Sequence, residues 1–222
     1  MMFFLSIFRS KWFWGISLAF LILFISFCCT FPVRTPDANE KIEQFIQQNA
    51  PGSEIELFNG ENFSGWEIHG FGKWRIEDGV LSAQRGIGYL STQYSEFNDF
   101  ILSLQIRISA KGNSGVFFRS RRPGLGFRPW PVGYEAQVDN HDSKNLTGSL
   151  YDRVSAEREY TKDNEWFDMW ISAIGANIKI QVNGEIVVDA TDSSFSKGFI
   201  ALQAHDFFSC VEYRNIKLRI PD

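Results

Sequence analysis

The chain has 222 residues, a formal net charge of −4 and 44% hydrophobic side chains, with 22 Phe, 7 Trp and 18 Gly. This is a globular composition rich in strand-favouring aromatics. Residues 51–222 carry 18 basic and 23 acidic side chains, and an acidic balance without a basic stripe speaks against nucleic acid as a partner.

Taken in chain order, Lys11 and Arg34 bracket 22 uncharged residues, WFWGISLAFLILFISFCCTFPV. About 20 apolar residues suffice to cross the hydrocarbon core of a bilayer. Arg9 and Lys11 lie before the segment and positive charge stays cytoplasmic, so the rest of the chain is expected outside the cytoplasm. A retained anchor, a lipoprotein cut before a cysteine of the Cys28-Cys29 pair, and a cleaved secretion signal all give that outcome. Phe27 departs from the small residues expected before a lipoprotein cut. Residues 1–35 are thus read as a signal or membrane anchor, and the membrane is the partner of this segment.

Residues 36–53 read as a short helix and linker. Pro36, Asp37 and Glu40 have the spacing of a helix start with a capping box, and Ile42, Phe45 and Ile46 form an apolar stripe that fades at Asn49, Pro51 and Gly52. The globular domain is placed at 54–222. Cys210 is its one cysteine, which excludes an internal disulfide; its strand-like setting suits a small buried hydrophobe better than a nucleophile.

From 54 onward short apolar or alternating runs recur: EIELF, GWEIHG, KWRIEDGVLSA, YLSTQ, DFILSLQIRIS, SGVFFRS, YEAQVDN, GSLYD, WFDMWISAIG, NIKIQVNGEIVVDA, GFIALQAHD and VEYRNIKLRI. Gly, Asn and Asp punctuate them and no long helical period intervenes. The pattern predicts an all-β, two-sheet antiparallel jelly-roll sandwich. Asn183-Gly184 between alternating runs predicts a hairpin with a type I′ turn. Trp66, Trp74, Trp166 and Trp170 are expected in the sandwich core.

Strand periodicity puts Glu135, Gln137 and Asp139 of YEAQVDN on one face, with Tyr134, Ala136 and Val138 on the other. A carboxylate is rarely buried without a partner, so this face is expected to meet solvent, a metal, an arginine or a polar ligand. By the same alternation Phe117 and Arg119 share a face, as do Ala201, Gln203 and His205, while Tyr151 alternates with Leu150. Trp130 sits in a loop rich in Pro, Gly and Arg, residues 120–132, where it would cap one face of a sugar ring or plug the loop. Arg119 and Glu135 also read as a structural ion pair on adjacent strands. His205, beside Asp206, also reads as a satisfied surface residue. Asp139, Asn140, His141 and Asp142 make a divalent metal a candidate cofactor, although neighbouring strand positions point to opposite faces and would need a bulge to ligate together. No cofactor is otherwise called for.

LFNGENFSGW, WRIEDGVLSA, FNDFILSLQIRI, NSGVFFR, GYEAQVDN, TGSLYD, the segment from Glu165 and Trp166 to VNGEIVVDA, and GFIALQAHD followed by VEYRNIKLR occur in one order. That order resembles the domain family once called DUF1080, the 3-keto-disaccharide hydrolases, also described as 3-keto-glycoside lyases or hydratases, with a concanavalin A-like jelly roll. The resemblance covers essentially all of 54–222. It implies that Arg119, Glu135, Gln137, Asp139, Tyr151, Gln203 and His205 converge on one sheet face, an inventory suited to vicinal hydroxyls. It implies a substrate whose C3 hydroxyl is already a ketone, so that a base removes the acidified C2 hydrogen and the C1 substituent leaves by elimination. The assignments that follow are His205 for proton transfer and Arg119 or a metal for the enolate. Glu135, Gln137, Asp139 and Gln203 would hold substrate or metal, and Tyr151 would be the acid. Asp206 departs from the glycine associated with that position in the family. The other reading is a non-catalytic carbohydrate-binding module at the cell surface, which would use the carboxylates and Trp130 but have no need of His205.

Overall fold

The computed structural model describes residues 37–124 and 129–222. The apolar segment 12–33 lies outside them, and no helix among the described residues is long and apolar enough to cross a membrane. The first described element is α1, Ala38–Gln48, whose capping box is formed: the Asp37 carboxylate accepts from the Glu40 N–H at 2.9 Å and the Glu40 carboxylate from the Asp37 N–H at 3.2 Å. Its apolar stripe is put to use. Ile42 is 4% exposed in the core, with Phe45 and Ile46 packed beside it, and residues 37–222 form one compact unit.

Thirteen strands among the described residues build two antiparallel sheets. They are β1 (Glu54–Glu56), β2 (Trp66–Gly70), β3 (Lys73–Glu77), β4 (Val80–Gln84), β5 (Gly88–Thr92), β6 (Phe100–Ile108), β7 (Asn113–Arg121), β8 (Val132–Asp139), β9 (Phe167–Ile174), β10 (Asn177–Val182), β11 (Glu185–Thr191), β12 (Phe199–Ala204) and β13 (Cys210–Arg219). The larger sheet runs β11-β10-β9-β6-β13-β4-β3, with β1 paired to the far end of β13, and the smaller runs β2-β5-β12-β7-β8. This is the jelly-roll sandwich that the punctuation of the sequence predicts. The hairpin between β10 and β11 turns at Asn183 and Gly184, with φ of 50° and 82°, as a type I′ turn requires. KWRIEDGVLSA is two strands rather than one run, because Asp78 and Gly79 turn in the same way with φ of 49° and 76°. GSLYD forms no strand; Leu150 makes isolated bridges to Ala136 and Val154.

The core lies between the sheets and follows the two-residue period. Phe100, Leu102, Leu104, Ile106 and Ile108 of β6 point into it, as do Phe167, Met169, Ile171 and Ala173 of β9. Trp66 and Trp74 are core residues, but Trp166 and Trp170 are not. The inward set on β9 leaves Trp170 on the outer face, 45% exposed, and a one-residue slip to bury it would expose Met169 and Ile171. Trp166 sits under two guanidinium groups, Arg107 at 4.9 Å and Arg214 at 4.1 Å.

One irregularity decides the composition of the site. The pairing of β7 with β8 shifts register between Phe118 and Arg121, that of β12 with β7 shifts between Phe199 and Ala201, and Arg119 has a φ of 47°. Such a bulge breaks the alternation of faces.

Candidate functional site

One face of the smaller sheet packs on the core; the other carries a separate apolar cluster of Tyr89, Phe117, Phe199 and Ala201, with Trp130 packed over it. Strand register sets its side chains in rows. Ala201 lies opposite Ser91 and Phe117, and Phe117 opposite Glu135. One step along, Gln203 lies opposite Tyr89, Tyr89 opposite His69, and Gly115 opposite Gln137. Apolar rings thus floor the middle of the face, and polar groups ring them.

Glu135 is the centre of this arrangement. A Cβ placed on Gly115 would lie 2.0 Å from Glu135 Oε1, so the carboxyl leans across the neighbouring strand into the gap that a glycine leaves. A lone glycine inside a strand marks such a close approach, and NSGVFFR carried that signal unread. The Glu135 side chain has no hydrogen bond or ion pair among the described residues, and burial pushes its carboxyl up to about 8. In its protonated form, favoured at neutral pH, it is available as a hydrogen-bond donor. On the next strand but one, Gln203 is 3% exposed and its Oε1 is buried with no partner among the described residues, a costly state for an acceptor. Gln137 is 2% exposed and donates weakly to Asn113 Oδ1 at 3.4 Å.

The folded Glu135 carboxyl holds its proton up to about pH 8, whereas an unperturbed one releases it near 4.5. Between those values the unfolded chain gains from ionising and the folded chain does not, so this group lowers stability as pH rises through that window. Glu135→Gln removes the titration. Its melting temperature relative to the parent should rise between about pH 4.5 and 8 and level off above; a pH-independent difference in thermal melts would show that the carboxyl ionises freely.

Trp130, Tyr151 and Glu135 line a cleft of about 660 Å³, together with Phe117, Asp152, Arg153 and Phe195. Tyr151 is 45% exposed at its rim while Leu150 is buried, as alternation predicts. The Tyr151 N–H donates to the Glu135 carbonyl at 2.9 Å, which ties the rim to β8. Trp130 also stacks on His205, with ring centroids 5.3 Å apart and planes 11° from parallel. His205 lies just beyond the end of β12, half-exposed, and its Nδ1 is 3.1 Å from Asp206 Oδ2.

Two predicted site residues are otherwise engaged. Arg119 does not share the face of Phe117: the bulge turns it into the end of the sandwich, 2% exposed. There Nε donates to the Asn98 carbonyl at 2.8 Å, Nη1 to the Gly175 carbonyl at 2.6 Å, and Nη2 reaches Asp99 at 3.1 Å. Its donors are thus engaged at the end of the sandwich, and it is not paired with Glu135. Asp139 is on the predicted face, but its Oδ1 accepts from the N–H groups of His141 at 2.7 Å and Asp142 at 3.1 Å, which fixes the following loop. Among the described residues no three His, Cys, Asp or Glu side chains are grouped as metal ligands, and Asn140 and His141 turn to Asp163 rather than joining Asp139.

Arg153 is the cation at the cleft that the sequence reading passed over. It is paired with Asp192, donates to Ser194 Oγ at 3.3 Å and lies over the rings of Tyr134 and Phe195. Nothing local marks it, because its place depends on the loop after Leu150 folding back over β8. His69 was missed too. It stacks on Tyr89 at 4.5 Å and contacts Ser91 Oγ at 3.0 Å, and its alternation with Glu67 in GWEIHG was the available signal.

Residues 53–219 match the model of the 3-keto-alpha-glucoside-1,2-lyase-like domain. The chain is 27% identical to a 3-keto-disaccharide hydrolase of Bacteroides thetaiotaomicron, over 76% of this chain and 78% of the relative. Its fold is similar to that of a provisionally assigned glycosyl hydrolase of Parabacteroides distasonis, with a TM-score of 0.68 and 22% identity over 77% of this chain and 94% of the other. It is also similar to a carbohydrate-binding module of Bacillus subtilis, with a TM-score of 0.53 and 23% identity over 70% and 96% of the two chains.

Proposed function

The chain belongs to the 3-keto-alpha-glucoside-1,2-lyase-like domain family, and from that premise we propose that it cleaves the glycosidic bond of 3-keto-glycosides by elimination followed by hydration. The observation that carries this reading is the unpaired Glu135 carboxyl, protonated up to about pH 8, on the same sheet face as the unsatisfied Gln203 and beneath the loop whose Trp130 stacks on His205. Hydroxyl recognition needs neither a neutral carboxyl nor an imidazole; proton transfer near neutral pH uses both.

The C3 ketone acidifies the C2 hydrogen. His205 takes that proton, and the electron pair moves into a C2–C3 enolate whose oxygen receives a hydrogen bond from the neutral Glu135, in place of Arg119. The enolate collapses back to the ketone as a C1–C2 double bond forms and the C1–O bond breaks, with the departing oxygen protonated on the Tyr151 side of the cleft. Addition of water across C1 and C2 then gives the free 3-keto sugar, so the sum is hydrolysis without an oxocarbenium ion. Gln203 and Gln137 hold ring hydroxyls. The N-terminal segment supports the further proposal that the domain works outside the cytoplasm, held at a membrane; protease digestion of intact cells should remove it, and protection would rule that placement out.

The purified full chain should release the aglycone from a 3-keto-glucoside and leave the unoxidised glucoside intact. A carbohydrate-binding module is the second reading, favoured by the likeness to the Bacillus subtilis module. Binding of unoxidised glycans without turnover of any keto sugar would establish it and overturn the enzyme.

A further inference from the structure

Asp206 closes the turn after β12 and also contacts His205. Its Oδ1 accepts from the N–H groups of Phe208 and Ser209, both at 2.7 Å, and its Oδ2 from Ser209 Oγ at 2.9 Å. Its own carbonyl accepts from the Gly86 N–H at 3.1 Å, which ties this turn to the one before β5. The remaining contact of Oδ2 is His205 Nδ1 at 3.1 Å. Burial works against the charge of this carboxyl, but the hydrogen bonds from Ser209, His205 and Phe208 outweigh it and hold the group below the usual carboxylate range. An ionised carboxylate only accepts, so the proton between the two residues resides on Nδ1.

We propose that Asp206 is a positioning residue that locks His205 in the tautomer with the proton on Nδ1 and the lone pair on Nε2, making Nε2 the atom that receives the C2 proton. This rests on the reading of His205 as the base. Trp130, stacked on the ring, fixes the imidazole plane, while Asp206 fixes which nitrogen is free. Among the described residues Asp206 is the one charged group paired with His205.

Asp206→Asn is the informative change because its geometry is forced. The two N–H donors of Phe208 and Ser209 keep an oxygen at the Oδ1 position, so the amide nitrogen must take the place of Oδ2, and Ser209 Oγ can turn to accept from it. The amide then donates toward Nδ1. His205 must move its proton to Nε2 and loses its base, the effect an Asp-to-Asn change has in a Ser-His-Asp triad.

The test is 15N NMR of the three histidines at neutral pH, with the His205 signals assigned by their loss in His205→Gln, alongside kcat and KM for a 3-keto-glucoside. The expected wild-type spectrum shows protonated Nδ1 and bare Nε2. The Asn variant should show the reverse, with kcat down about tenfold or more and KM nearly unchanged. A wild-type ring protonated on Nε2, or an Asn variant whose kcat falls while its tautomer stays the same, would overturn the proposal. If the Asn variant does not fold, the wild-type spectrum decides alone. If the wild type turns over no keto sugar, the functional reading fails while the spectra still decide the tautomer.

Discussion

His205→Gln should lower the turnover of a 3-keto-glucoside by about a hundredfold or more, the usual worth of general acid-base catalysis. Binding of the same compound should stay within about tenfold, or about 1.4 kcal/mol. The two readouts separate because of where His205 lies. It is half-exposed beyond the end of β12, one ring face is covered by Trp130, and Asp206 holds one nitrogen. Gln keeps a polar group of similar length that can still meet a hydroxyl, but it cannot take and return a proton near neutral pH. Stopped-assay turnover and calorimetric binding, measured on the same preparation, give the two numbers. Equal losses in both would make His205 a binding residue, and undiminished turnover would move the base to another side chain of this sheet face.

Arg119→Met should destabilise the domain by on the order of 3 kcal/mol and leave turnover per folded molecule unchanged. The guanidinium, almost wholly enclosed, links β7 of the smaller sheet to Gly175 in the turn between β9 and β10 of the larger one, and also to Asn98 and Asp99. Truncation removes the charge-assisted hydrogen bonds to the part-buried Asn98 and Gly175 carbonyls, and a hydrogen bond to a charged group is worth about 1.5–3 kcal/mol. Asp99 is 47% exposed, so water takes over much of its charge and adds less. At about 2–4 °C per kcal/mol for a domain of this size, the melting temperature should drop by roughly 6–12 °C. A variant with parental stability and a hundredfold lower kcat would return Arg119 to the catalytic set.

What the sequence by itself determined is what depends on neighbours along the chain. The capping box of α1, the turn at Asn183-Gly184, and the division of β8 into a core face of Tyr134, Ala136 and Val138 and an opposite face of Glu135 and Gln137 all follow from local φ preferences and a period of two. The ordered family segments added the sandwich and the family. What only the tertiary structure decided is where that period breaks and what comes close across strands. The paired register shifts in β7 and β12 turn Arg119 out of the face that alternation gives it, because one bulged residue resets the direction of every side chain around it. The protonated state of Glu135 follows from Gly115 on the next strand leaving room for it, away from donors, and not from its own neighbours in sequence. The role of Asp206 needed the turn at 206–209 to close, since only then do three donors and the His205 ring meet one carboxylate, and no pattern of residue types along the strand encodes that convergence.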